Sequence, residues 1–82
     1  MIYVKFSSPI NPQTSQSLMN FLSQQINNGQ KEFYFLFASQ GGSVNDGIVL
    51  HNFIRSLPAK IIMHNIGAID SIANVVFLAA DE

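Results

Sequence analysis

Phe33-Tyr34-Phe35-Leu36-Phe37-Ala38-Ser39-Gln40-Gly41-Gly42-Ser43-Val44-Asn45-Asp46-Gly47 is the stretch that dictates the architecture. Phe33 to Ala38 is nearly continuous in apolar side chains, the pattern of a parallel strand covered on both faces. Ser39-Gln40-Gly41-Gly42-Ser43 then forces a sharp turn, and a helix is predicted from about Val44 to Ser56, stopped by Leu57-Pro58. Strand, tight turn and helix in immediate succession form half of a βαβ unit.

The same alternation extends in both directions. Upstream, Ile2 to Phe6 reads as a strand closed by Ser7-Ser8-Pro9. Asn11 follows as an N-cap with Pro12 at the first helical position, where a missing N–H costs nothing. Leu18, Phe21, Leu22 and Ile26 lie at helical spacing, and Asn27-Asn28-Gly29 ends that helix with residues tolerant of positive φ. Downstream, Lys60 to Ile66 is a third strand, Gly67 opens a turn, and a last helix starts near Asp70 or Ser71. From Ile72 to Ala80 it is apolar on every side except at Asn74, which predicts a buried helix. Three strand–helix pairs imply right-handed crossovers and a parallel sheet in one α/β unit.

In such a sheet ligands gather at the carboxyl ends of the strands. The second and third strands deliver Gln40-Gly41-Gly42-Ser43 and Gly67-Ala68-Ile69-Asp70-Ser71 to that edge. Paired glycines leave backbone N–H groups unobstructed, and such groups stabilise anions, including the oxyanion of a tetrahedral intermediate. Ser71 lies at or beside a helix N-terminus, where the helix dipole favours negative charge, and the N–H of Ile72 points to the same region. A serine hydroxyl between two such donors is the core of an acyl-transfer site. Gly-Gly turns and helix-capping serines are also common without any chemistry. Neither dinucleotide nor P-loop glycine spacing occurs.

The two segments together resemble the Clp protease proteolytic subunit (ClpP) family. Ser39-Gln40-Gly41-Gly42-Ser43-Val44, with Gly47 in the next helix, is similar to that family's Ser-Pro-Gly-Gly-Ser-Val motif. Gly67-Ala68-Ile69-Asp70-Ser71-Ile72-Ala73 is similar to its nucleophile motif, Gly-x-Ala-Ala-Ser-Met-Gly. Both motifs occur in order, and the helix from Ile10 to Asn28 fits the pattern ahead of them, so the resemblance covers nearly the whole chain. It implies a ClpP/crotonase-like spiral of strand–helix units with a mainly parallel sheet. Within it, Ser71 would be the nucleophile, Gly42 and Ile72 the oxyanion-hole donors, and Gly41 the residue shaping the turn. The resemblance also implies a polypeptide substrate, stacked homo-oligomeric rings, an AAA+ ATPase unfoldase as partner, and no cofactor or metal.

Where the chain departs from the family, Gln40 replaces proline and Asp70 replaces a small apolar residue. Capping of the last helix is the expected role for the Asp70 carboxylate. The family's histidine and aspartate follow the nucleophile, beyond Glu82, so residues 1–82 read as the N-terminal portion of one domain, incomplete at its C-terminus and inactive alone. His51, inside the second helix, and His64, in the third strand, read as packing residues rather than catalytic bases, and Asp46 and Glu32 as solvated charges. Two readings compete with a serine endopeptidase. One is a non-catalytic ring subunit or ligand-binding module on the same scaffold. The other is a serine–lysine arrangement like that of membrane-associated signal-peptide peptidases, for which Lys60 lies at the wrong end of its strand.

Composition narrows the classes further. Charged residues are 11% of the 82, against about 25% in an ordinary domain, while 48% are hydrophobic. So few solvated positions imply that apolar surface packs against another subunit or more of the same chain. Lys5, Lys31, Arg55 and Lys60 are scattered and the net charge is −1, which offers no phosphate-binding face for nucleic acid. Without cysteine there are no disulfides and no thiolate chemistry. The longest strictly apolar run, Val75 to Ala80, is far short of the roughly 20 residues that cross a membrane. A soluble cytoplasmic protein is the expectation.

Overall fold

The computed structural model describes residues 1–82. The elements are β1 (Ile2–Ser7), α1 (Pro12–Asn27), β2 (Glu32–Ser39), α2 (Val44–Ser56), β3 (Lys60–Ile69) and α3 (Ala73–Phe77). The strands form one parallel sheet in the order β1-β2-β3. Register aligns Val4 with Phe35 and Met63, and Phe6 with Phe37 and Asn65, across the sheet.

Strand alternation selects which side chains enter the core. Val4 and Phe6 of β1, Phe33, Phe35 and Phe37 of β2, and Ile61 and Met63 of β3 point to one face and are buried. The three phenylalanines of β2 are fully enclosed, each contributing about 1.5–3 kcal/mol by leaving water. Leu18 and Leu22 of α1, Leu50 and Ile54 of α2, and Ala73 and Val76 of α3 close over them in one cluster. Phe37 stacks on Phe6 at 5.6 Å and on Phe77 at 6.2 Å between ring centroids. The fold is therefore two layers, three helices over one face of the sheet.

Local signals place the helix ends. Asn11 and Thr14 form a reciprocal capping box, each side chain accepting from the other's backbone N–H at 2.8 and 3.0 Å. Ser43 caps α2, its Oγ accepting from the N–H of Asp46 at 3.2 Å.

Three expectations are corrected. The strand β2 is covered on one face only, because all three helices pack on the same side. Tyr3, Lys5 and His64 stand exposed on the other face, with Tyr34, Leu36 and Ile62 half-buried beside them. The last helix is five residues long rather than a buried rod: Val76 and Ala79 reach the core, but Leu78 is 71% exposed. The third strand does not stop at Ile66. It bulges between the pairs Phe37–Asn65 and Ser39–Ile69, so Gly67 lies within β3, where the backbone detours around the end of β2. Beyond α3, Glu82 returns to the free edge of β3. Its N–H donates to Ile61 O and its carbonyl accepts from Met63 N–H, the pattern of a parallel bridge.

Candidate functional site

The two loops singled out in the sequence meet. A Cβ placed on Gly41 would lie 2.9 Å from both Asp70 O and Ser71 Cβ and 3.4 Å from Ile72 N, so the Gly41 turn rests directly on the Ser71 turn. Gly41 has φ +91° and Gly42 φ +146°, both in the region that glycine alone enters cheaply. Gly42 has a second constraint. It bridges Ile10 in parallel fashion, flanked by hydrogen bonds from Ile10 N to Gly41 O (2.8 Å) and Ser43 N to Ile10 O (2.9 Å). Any side chain at Gly42 would overlap the Ile10 carbonyl.

Ser71 is the one non-glycine residue of the chain with positive φ, at 54°. A serine held there costs about 1–2 kcal/mol against the ordinary helical conformation, and the surroundings over-determine it. The Asp70 N–H donates to Ser39 O at 3.0 Å, and Asp70 O accepts from Ala73 N at 3.0 Å. The Ser71 carbonyl accepts from the backbone N–H of Asn74 at 3.1 Å and from its side-chain Nδ2 at 3.2 Å. The result is a sharp strand-to-helix elbow that leaves Ser71 exposed. The Ser71 hydroxyl has no hydrogen-bond partner within the chain, and the N–H groups of Gly42 and Ile72 donate to none of its groups.

Ser39 joins the two loops, a role the sequence reading missed. It is buried; its Oγ accepts from Gly41 N–H at 3.1 Å while its carbonyl holds Asp70. A signal was present, since Ser39 continues the inward phase of Phe33, Phe35 and Phe37 and is a polar residue where the pattern asks for an apolar one. Gly47 was noted only through the family motif. Its Cβ would overlap Ile72 Cγ1, so a bare backbone on α2 lets the elbow pack down.

Other expected features fall elsewhere. The Asp70 carboxylate makes no cap: Ile72 occupies the N-cap position of α3 without a side-chain hydrogen bond, because the positive φ of Ser71 turns the chain between Asp70 and the helix. With five residues, α3 also supplies little macrodipole, so anion stabilisation here would rest on individual N–H groups. His64 Nδ1 is 2.9 Å from Tyr34 Oη on the open sheet face, and His51 Nδ1 is 2.7 Å from Val75 O between α2 and α3. Neither touches Ser71. Lys60, at the start of β3, pairs with Glu82 at 2.7 Å, which raises its pKa above the usual value. Its sheet partner Glu32 and the partner of Ile69, Ser39, are seven residue steps apart on β2, so Lys60 lies about 23 Å of strand from the end that carries the elbow, out of reach as a base. Two open depressions of about 450 Å³ mark the surface; Ser71, Gly42 and Ile72 line neither.

Comparisons with known proteins bear on the family and the fold. The family model described as Clp protease matches residues 2–82, all of the chain but Met1. The fold superposes on ClpP1 from Listeria monocytogenes with a TM-score of 0.90 at 22% identity, covering 95% of this chain and 46% of that one. It superposes on the ClpP protease catalytic domain from Plasmodium falciparum with a TM-score of 0.91 at 21% identity, covering 98% and 46%. The chain thus spans a little under half the length of these structures. No curated protein sequence matches it.

Proposed function

The chain belongs to the Clp protease family, and from that premise we propose that it forms the N-terminal portion of a serine endopeptidase subunit in which Ser71 is the nucleophile. The observation that carries this reading is the strained elbow: Ser71 alone among non-glycine residues adopts positive φ, and it does so against Gly41. Backbone strain kept at one exposed serine, beside a turn with a free N–H, is the arrangement acyl transfer uses.

In this mechanism the Ser71 hydroxyl attacks the carbonyl carbon of a peptide bond while a base takes its proton. The carbonyl oxygen becomes an oxyanion that accepts hydrogen bonds from the N–H groups of Gly42 and Ile72, with Gly41 setting the turn. Collapse of the tetrahedral intermediate expels the amine, which takes up the proton, and water then hydrolyses the acyl-serine. Each oxyanion donor of this kind supplies about 3–4 kcal/mol to the transition state. His51 and His64 are engaged elsewhere, so the base comes from outside these residues and the 82-residue chain alone is inactive. Stacked rings of subunits, polypeptide substrates delivered by an AAA+ unfoldase and a cytoplasmic setting belong to the same proposal. No helix here is long and apolar enough to cross a membrane.

Asp70 favours a second reading, a non-catalytic ring subunit or ligand-binding module. Its exposed carboxylate has no partner in the chain and adjoins the nucleophile, where it disfavours a nearby oxyanion. A fluorophosphonate probe applied to the full-length protein separates the two. Covalent labelling at Ser71, lost in Ser71→Ala, is expected of the peptidase; an unlabelled Ser71 in folded, assembled protein would transfer support to the second reading.

A further inference from the structure

We propose that His51 is a positioning residue for the Ser71 elbow, acting as the side-chain cap that a five-residue helix cannot supply for itself. The proposal rests on the reading of Ser71 as nucleophile. Helices this short do not persist without tertiary anchors, yet α3 directly follows Ser71-Ile72 and fixes where the Ile72 N–H lies. Its last turn is irregular. Leu78 N–H donates to Asn74 O, Ala79 N–H to Val76 O and Ala80 N–H to Phe77 O, so the carbonyl of Val75 is passed over by the backbone. His51 supplies the missing donor, with Nδ1 2.7 Å from Val75 O. A carbonyl only accepts, so the geometry assigns the proton to Nδ1.

The placement of His51 on α2 matters as much as the bond. One turn earlier, Gly47 receives the Ile72 side chain against bare backbone. The same face of α2 thereby holds the segment at two points, Ile72 beside the elbow and Val75 one turn beyond it. Gly47 sets how closely the elbow approaches, and His51 stops α3 from fraying or rotating away. His51 touches neither Ser71 nor its loop, so its effect on reaction is indirect.

Asn and His present a donor at nearly the same place, since Asn Nδ2 overlays His Nδ1, whereas leucine fills the half-buried site without donating. In the intact protein, residue-resolved hydrogen exchange should show the amides of Ala73 to Val76 exchanging at least about fivefold faster in His51→Leu, the scale of one net hydrogen bond, with near-normal protection in His51→Asn. Fluorophosphonate labelling of Ser71 in the same full-length proteins should slow by about tenfold or more in His51→Leu and recover in His51→Asn, a share of what losing an oxyanion donor costs. Unchanged exchange at residues 73–76 in His51→Leu, or equal loosening throughout the chain in both variants, would overturn the anchor. A loosened α3 with an unaltered labelling rate would overturn the positioning role. If the unsubstituted protein resists labelling while exchange behaves as described, the anchor stands and the nucleophile assignment falls.

Discussion

Ser71 and Gly42 place opposite demands on a side chain. At φ 54° Ser71 bears a left-handed backbone that glycine would adopt without strain. Ser71→Gly removes a cost of about 1–2 kcal/mol and adds back about 0.5–1 kcal/mol of unfolded-chain entropy. The expected outcome is a protein equally stable or up to about 1.5 kcal/mol more stable in urea, with no nucleophile; clear destabilisation would show that the hydroxyl has a structural role. Gly42 tolerates nothing larger. Gly42→Ala combines a disallowed φ with overlap on the Ile10 carbonyl, and a loss of about 2–4 kcal/mol is expected from strain and overpacking together. A urea midpoint close to that of the unsubstituted protein would contradict the Ile10–Gly42 bridge.

The elements meet through β2 and α2. Ser39, the last residue of β2, holds the glycine turn with its hydroxyl and the elbow with its carbonyl. Ser39→Ala leaves the Gly41 N–H without its acceptor in a buried place, a loss of about 1–3 kcal/mol. Ser39→Thr, which keeps the oxygen, should lose less, and equal losses would mean that packing rather than the hydrogen bond matters. On α2, Gly47→Ala gains about 1 kcal/mol of helix propensity but forces Ile72 outward at an overpacking cost of about 1–3 kcal/mol. The inference about His51 belongs here too, since α3 is an element whose existence depends on its neighbour. Sequence periodicity located α1, α2, β1 and β2 closely because each buries a repeated stripe, and it ended β3 three residues early because the bulge breaks that stripe. It overstated α3, where an apolar run from Ile72 to Ala80 was taken for one buried helix although the helix ends at Phe77 and Leu78 turns out to solvent.

At the level of the molecule, one layer of helices leaves the second face of the sheet open. Tyr3 lies 5.3 Å from Tyr34 there, and Val44, Ile48 and Val49 project from α2 into solvent. So much exposed apolar surface on a small protein predicts concentration-dependent association by sedimentation, weakened when Ile48 and Val49 are replaced by lysine. Glu82 is tied to the start of β3 by Lys60, an exposed pair in which hydrogen bonding and charge from Glu82 raise the lysine pKa above its ordinary 10.5. Such stabilisation is fully present below pH 10.5 and disappears as pH rises through the elevated value. The small stability difference between the unsubstituted protein and Glu82→Gln should therefore vanish in strong alkali, and persistence there would assign it to something other than the ion pair.

Strand–helix alternation, the cap at Asn11 and the two glycine-bearing loops were legible in the chain, because each depends on spacing or on the conformational range of one residue type. Contacts between segments far apart in the chain leave no such trace. The Ile10–Gly42 bridge, the double hold of Ser39, the seat of Ile72 on Gly47 and the bond from His51 to Val75 join residues that only folding brings together. The same reason hid the open face of β2: a run of apolar side chains reports that a strand can be buried on both sides, but which side is covered depends on where the crossovers send the helices.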